Sequence, residues 1–319
     1  NNWLGSKSGQ GFYKKTKDAN GKRNIQVLDL KTLEYRDKEK VKYATLEAAK
    51  QVEALAPRTN LLFNGKDEAG DFYRKIFTDV FSYVSYRIPE ISDEIYRIDD
   101  ALRAGFGWEL GAFESWDAIG IKSASEVAKE RGHNVADWVI EMLDAGYDSF
   151  YRVVDGKREC YDPASKTYKV IPGQDGRVNL EYVEKDKVVW SNSGTTIKDI
   201  GDGILNIEFH TKMNSIGGEV LQGLNKVIDL AEAEYKGVVI SNNGANFSAG
   251  ANVGMIFMLA IEQEWEELDA AVKYFQDTMM RMRYSSIPTI SAPHGMALGG
   301  GCELSLHADK VVAAAETYM

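Results

Sequence analysis

The sequence has 319 residues, 44% hydrophobic and 27% charged, which suits about two domains and excludes wholesale disorder. Its 38 basic and 48 acidic residues leave a formal net charge of -10. That balance excludes the basic footprint of non-specific nucleic-acid binding, but not an anionic small ligand met by local amides.

The two cysteines, Cys160 and Cys302, form no CxxC pair. Neither a disulfide scaffold nor a structural zinc site is expected, and a reducing, cytoplasmic location fits. No apolar run approaches the ~20 residues that span a membrane, and no signal peptide opens the chain. The chain opens on Asn1-Asn2-Trp3 and stops just after the strand-like Lys310-Val311-Val312. It therefore reads as a piece of a longer protein.

Residues 1–60 are mixed and polar, with a short strand expected around Gln26–Leu30 and helical spacing from Leu46 to Leu55 that Pro57 closes. Residues 61–148 read as helical. Phe72, Ile76, Val80, Phe81 and Val84 recur at three and four, predicting one apolar stripe that ends before Pro89. A second helix is expected from Ser92 or Glu94 to Gly105. A third should open at Ser123, where Glu126 three residues on resembles a capping box. A fourth spans Val135 to Leu143 and stops by Gly146. Trp108 and Phe113 are expected to be buried, and Tyr83 and Tyr86 to be core or domain contacts.

Residues 149–186 form a β-rich linker. Tyr151–Val154, the Asp155-Gly156 turn and a run near Tyr161 predict a hairpin. Tyr168–Ile171 precedes a Pro172-Gly173 turn. From 187 onward strands are expected at Val188–Trp190 and, with period two, at Ile204–Phe209. An amphipathic helix follows from Gly217 to Glu234, its apolar face running from Val220 and Leu221 to Ala231. A buried strand at Gly237–Ile240, a long helix from Glu264 to Met282 and a short strand at Thr289–Ala292 complete an α/β alternation. The acidic run Glu262–Glu267 reads as a solvated helix face.

Two segments carry the chemistry. Phe247-Ser248-Ala249-Gly250-Ala251-Asn252 follows the strand at 237–240. Gly295 to Leu304, with Gly299-Gly300-Gly301-Cys302-Glu303, follows the strand at 289–292. Small residues let a ligand approach the backbone, and the first amides of a helix are unpaired and point outward. Two such amides converging from different loops would make an oxyanion hole. For one glycine-rich turn alone, tight strand-to-helix packing is the better reading; two in series, each after a buried strand, favour the ligand site. No metal-ligand spacing links His133, His210, His294 and His307, which read as structural; only His294, just before Gly295, could line a ligand cleft. Cys302 reads as a packed thiol.

The two segments, preceded by Lys212-Met213-Asn214-Ser215-Ile216, resemble the three acyl-CoA motifs of the crotonase (enoyl-CoA hydratase) superfamily over residues 187–319. The resemblance makes Ala251 and Gly300 the oxyanion-hole amides and Glu303 one of two catalytic glutamates, the second lying beyond Met319. It assigns Lys212, Met213, Asn214, Ala249 and Gly250 to acyl-CoA binding. Asn252 stands where the family has aspartate.

Trp3–Tyr13 and Ile98–Glu114 resemble the helical part of 3-hydroxyacyl-CoA dehydrogenases. Residues 1–60 would be the tail of the first helical repeat with a connector, and residues 61–148 the second repeat. The spacing Gly105-x-Gly107-x-x-x-Gly111 is not GxGxxG, so the NAD-binding domain would lie before Asn1. No cofactor or metal site is expected within residues 1–319.

The fold implied is an α-helical dehydrogenase C-terminal-type domain, a β-rich connector and an incomplete α/β crotonase-type spiral. The function implied is hydration of a 2-enoyl-CoA followed by NAD-linked oxidation of the 3-hydroxyacyl-CoA in fatty-acid β-oxidation, with these residues alone inactive. The partners implied are a thiolase and further copies of the chain. A non-catalytic acyl-CoA-binding or assembly module, with Glu303 merely capping a helix, and a crotonase-type isomerase are the rival readings.

Overall fold

Short alternating segments of half-buried and exposed residues open the chain as an antiparallel sheet of β1 (Tyr13–Lys17), β2 (Arg23–Leu28) and β3 (Tyr35–Asp37). Tyr13 lies opposite Val27, and Val27 opposite Arg36. The structure is a computed structural model describing residues 3–17, 21–39 and 41–319. Two units divide the chain: Asn1–Phe150 with Tyr161–Thr167, and Tyr151–Cys160 with Tyr168–Met319.

In the first unit the sheet is followed by α1 (Ala44–Ala49), α2 (Leu55–Asn64), α3 (Glu68–Tyr86), α4 (Ile95–Phe106), α5 (Ala112–Ile119), α6 (Ile121–Glu130) and α7 (Asp137–Asp144). Several helix boundaries depart from expectation. Pro57 sits in the first turn of α2 and does not close a helix, because first-turn amides need no intrahelical acceptor. The third expected helix begins at Ile121, directly after Gly120, so Ser123 is not its cap.

Side-chain capping occurs instead at the start of α5, shared between its own Glu114 and Asp99 of α4. The Glu114 carboxylate accepts from the Gly111 amide at 2.7 Å, and the buried Asp99 carboxylate of α4 accepts from the amides of Phe113 and Glu114 at 2.9 and 3.1 Å. These bonds satisfy orphan amides and place a negative charge at the positive end of the helix.

The core of this unit is aromatic. Phe81 stacks on Trp116 with centroids 4.8 Å apart, and Phe150 packs edge-on against Phe113 at 5.0 Å. Phe113 is fully buried, but Trp108 remains 36% exposed. The expected stripe on α3 is also displaced. Phe72 and Ile76 are exposed, and the buried face runs through Ala69, Thr78, Phe81, Val84 and Ser85. Thr78 and Ser85 tolerate burial because their hydroxyls bond carbonyls one turn back. Tyr83 and Tyr86 are exposed and not core. The Arg87 guanidinium covers the Tyr83 ring at 4.7 Å.

A second small sheet has the order β4 (Tyr151–Val154), β5 (Lys157–Asp162), β6 (Thr167–Val170), with the expected hairpin turning at Asp155-Gly156. The remaining elements are β7 (Val188–Ser191), β8 (Thr195–Asp199), β9 (Ile204–Phe209), α8 (Gly218–Glu234), β10 (Gly237–Ser241), α9 (Val253–Ile261), α10 (Trp265–Arg283), β11 (Thr289–Ser291), α11 (Gly300–His307) and β12 (Lys310–Val311).

Six strands join in the order β12-β11-β10-β9-β8-β7. β9 to β12 pair in parallel, whereas β7, β8 and β9 form an antiparallel meander. β8 carries too little apolar alternation to be read from sequence. It forms because Ile197, fully buried, lies opposite Ile207. β9 does not alternate as expected: Leu205, Asn206 and Ile207 are all buried, as in a parallel strand covered on both faces. The core joins these strands to Val220, Leu224, Val227 and Ile228 of α8 and to Met279 and Met282 of α10.

Candidate active site

Parallel β9, β10 and β11 release three loops from their carboxyl ends, the side of the sheet on which open α/β folds place ligands. The loops are stitched to one another. Ile216 and Ala251 form a parallel bridge, as do Ser248 and Ala297. The Ile216 amide donates to the Gly250 carbonyl at 2.8 Å, and the Asn252 amide donates back to the Ile216 carbonyl at 3.1 Å. The Leu298 amide donates to the Ser248 carbonyl at 3.0 Å.

This pattern skips the amide of Ala251. It also skips Gly300, the first residue of α11. Among the described residues no carbonyl accepts from either amide. The two positions are neighbours: a Cβ built on Gly300 would lie 3.2 Å from the Ala251 nitrogen and 2.8 Å from the Phe275 ring. Gly250 adopts φ +94, and a Cβ there would stand 2.6 Å from the Leu298 carbonyl oxygen. Glycine at 250 and 300 is what lets the loops approach.

Ala251 and Glu303 line one cavity of about 350 Å³ with Leu221 from α8, Met255 and Ile256 from α9, and Phe275 from α10. Glu303 lies in α11 just past Gly300. Its amide donates to the Gly299 carbonyl at 3.0 Å, and its carbonyl meets His307 Nδ1 at 2.7 Å. A carboxylate in a mostly apolar hollow, beside two free amides, could hold or move a proton next to a carbonyl group fixed by those amides. Asn252 closes the first turn of α9, accepting from the Met255 amide at 3.2 Å. A neutral amide serves this cap as well as a carboxylate does.

Gly300 is buried behind Ala251 and Phe275 and does not itself line the cavity, and the remaining sequence-derived residues also lie outside the lining. Lys212–Asn214 form a single 3-10 turn in which Met213 has φ 56 and is exposed. Asn214 is buried and donates from Nδ2 to the Asn246 carbonyl at 2.9 Å. The Ala249 amide donates to the Met213 carbonyl at 3.1 Å. His294 does not line the Ala251–Glu303 cavity. It faces a separate hollow with Asn242, Asn243 and Gly244, its Nε2 2.6 Å from the Gly244 carbonyl. Cys302 is partly buried.

Ser248 and Phe275 were not singled out by sequence reasoning. Ser248 was legible only as a small residue in a glycine-rich turn, and Phe275 only as one apolar position of α10. Among the described residues no group of three or more His, Cys, Asp or Glu could hold a metal ion. Nor is any described helix long and apolar enough to cross a membrane. Gly105 lies in the last turn of α4, and Gly107–Gly111 connect it to α5. They do not form the strand-to-helix turn that cradles a dinucleotide.

The sequence model of the enoyl-CoA hydratase/isomerase family matches residues 199–318, which hold all three loops. Residues 199–318 are thus similar to an enoyl-CoA hydratase/isomerase domain. Over 318 residues it is 41% identical to a Bacillus subtilis (strain 168) protein named "Probable 3-hydroxyacyl-CoA dehydrogenase", covering 99% of this chain and 39% of that protein. Over 312 residues it is 27% identical to a Rickettsia prowazekii (strain Madrid E) protein named for the trifunctional enzyme of a fatty acid oxidation complex, covering 98% of this chain and 39% of that one. The chain thus spans about 39% of the length of these curated relatives. Among solved structures, an enoyl-CoA hydratase/isomerase from Xanthobacter autotrophicus Py2 is 26% identical, covering 40% of this chain and 48% of that one with a TM-score of 0.36.

Proposed function

We propose that the crotonase-type domain binds the thioester carbonyl of an acyl-coenzyme A between the amides of Ala251 and Gly300, and that the protein acts in fatty-acid β-oxidation. The observation that carries this reading is the pair of adjacent, acceptor-free amides beside a cavity that holds Glu303. In the proposed reaction a water O–H bond breaks, hydroxyl adds to C3 of a 2-enoyl-CoA and a proton adds to C2. Charge develops on the thioester oxygen, where the two amides would stabilise it. Glu303 would orient the water and take its proton. Lys212, Met213, Asn214, Ala249 and Gly250 would support the coenzyme from the flanking loops.

We further infer that residues 1–148 correspond to the helical part of a 3-hydroxyacyl-CoA dehydrogenase, which the name of the Bacillus subtilis relative supports. NAD would serve that oxidation, and no oxidation step is assigned to this chain. A thiolase is the partner class that would consume the oxidised product.

The test uses a cinnamoyl-CoA bearing a para-dialkylamino group, whose absorption moves to longer wavelength when its carbonyl accepts hydrogen bonds. Binding with a red shift is expected, and binding without one would remove the amide assignment. The 319 residues contain one of the two implied glutamates, so crotonyl-CoA hydration is expected to be slow. Glu303→Gln should lower whatever rate remains by ~10²–10⁴ while leaving the red shift intact. An unchanged rate would withdraw the role of Glu303 and favour a non-catalytic acyl-CoA-binding module.

A further inference from the structure

We propose that Ser248 is a positioning residue that sets the spacing and direction of the two free amides. This inference rests on the reading of Ala251 and Gly300 as carbonyl donors, and deepens it. Ser248 is fully buried, and its hydroxyl is used in both directions. It donates to the Asn214 carbonyl at 2.7 Å and accepts from the Gly250 amide at 3.0 Å. The first bond fastens the 211–216 loop. The second fixes the left-handed turn at Gly250, and with it the peptide that presents the Ala251 amide.

The backbone of the same residue holds the other donor. The Ser248 amide donates to the Met296 carbonyl at 3.1 Å, and its carbonyl accepts from Leu298 at 3.0 Å. The Leu298 carbonyl in turn accepts from Gly301 at 2.8 Å, which fixes where α11 starts and how the Gly300 amide points. α11 rests directly on the side chain: a Cβ on Gly301 would come within 2.8 Å of Ser248 Cβ. Ser248 is thus bonded to one segment that aims the Ala251 amide and to another that aims the Gly300 amide. Without the hydroxyl, the Gly250 amide and the Asn214 carbonyl lose a buried partner and the turn is free to rotate.

Ser248→Ala should fold, bind the para-dialkylaminocinnamoyl-CoA probe with a dissociation constant within about tenfold of the parent, and lose most of the red shift. A merely structural serine would change the unfolding midpoint and leave the shift of the folded, probe-bound protein intact. That result would overturn the proposal. Thr278→Ala is the control, because it removes a buried hydroxyl of α10 that donates to the Tyr274 carbonyl and accepts from Asn225 of α8, and bonds none of the three loops. Its shift should equal the parent's, and an equal loss in both variants would also overturn the proposal. Where Ser248→Ala does not fold, Ser248→Cys keeps the volume with a weaker donor and should give a reduced shift; a full shift there would refute the role. Absence of a shift in the parent would instead refute the underlying assignment of Ala251 and Gly300, and this proposal with it.

Discussion

Gly250 is the residue at which sequence and geometry constrain each other most tightly. Its φ of +94 disfavours any side chain, and the Leu298 carbonyl occupies the space a Cβ would need. Gly250→Ala should therefore cost ~1–3 kcal/mol of stability and abolish the probe's red shift, because the Ala251 amide is carried by the next peptide. Chemical denaturation and the difference spectrum check the two effects separately, and an alanine variant with an unchanged spectrum would contradict the close-approach argument. The glycines, Ala251 and Glu303 could be singled out because they are contiguous in two short motifs that resemble a known family. Ser248 and Phe275 were not, since their importance comes from partners far away in sequence. His294 shows the converse: adjacency to Gly295 suggested the cleft, but its ring turns toward the Gly244 carbonyl instead.

Helices α8 and α10 frame the cavity, and one ionic clamp ties them. Arg281 Nη1 on α10 donates to Glu232 of α8 at 3.0 Å, and the Ser286 amide donates to the same carboxylate at 2.9 Å. Chiefly through the Arg281 hydrogen bond, the Glu232 carboxyl is pulled down from 4.5 to about 2. A carboxyl depressed on folding contributes stability above its unfolded value and loses it as pH falls through the folded one. Glu232→Gln should thus lower the thermal midpoint at pH 7, and the difference from the parent should shrink as pH drops from about 4.5 towards 2. A constant difference across that range would contradict the clamp. The long helices themselves were legible from periodicity, α8 and α10 nearly to their ends. What escaped were elements whose burial is decided by neighbours. β8 has one strongly apolar inward residue, and the polar Thr78 and Ser85 lie on the buried face of α3 while Phe72 is left exposed. The most apolar helix, α9, buries none of its residues in this structure.

For the whole molecule, motif order anticipated a helical stretch followed by an α/β stretch, but residues 13–37, expected as the tail of a helical repeat, form the antiparallel sheet β1-β2-β3. The division observed runs through the small hairpin sheet, with residues 161–167 grouped with the first unit. The strand order of the large sheet bears on how the chain reaches its folded state. β7, β8 and β9 join by short local turns, so that part of the sheet closes little loop entropy and can form early. The loops of the candidate site meet only across crossovers. The Asn214–Ser248 bond spans 34 residues and the Asn246–Met296 bond spans 50. Those contacts must wait until α8 and α10 have docked, and they should be the first to part in partial opening. Hydrogen exchange read by mass spectrometry should find the bonded amides of Ile216, Asn252 and Leu298 exchanging before those of β9 and β10. Equal protection would mean that the meander and the site loops open as one cooperative unit. With the expected ordering, the local closure that makes β7 to β9 quick to form also leaves the site loops the last part of the sheet to be ordered.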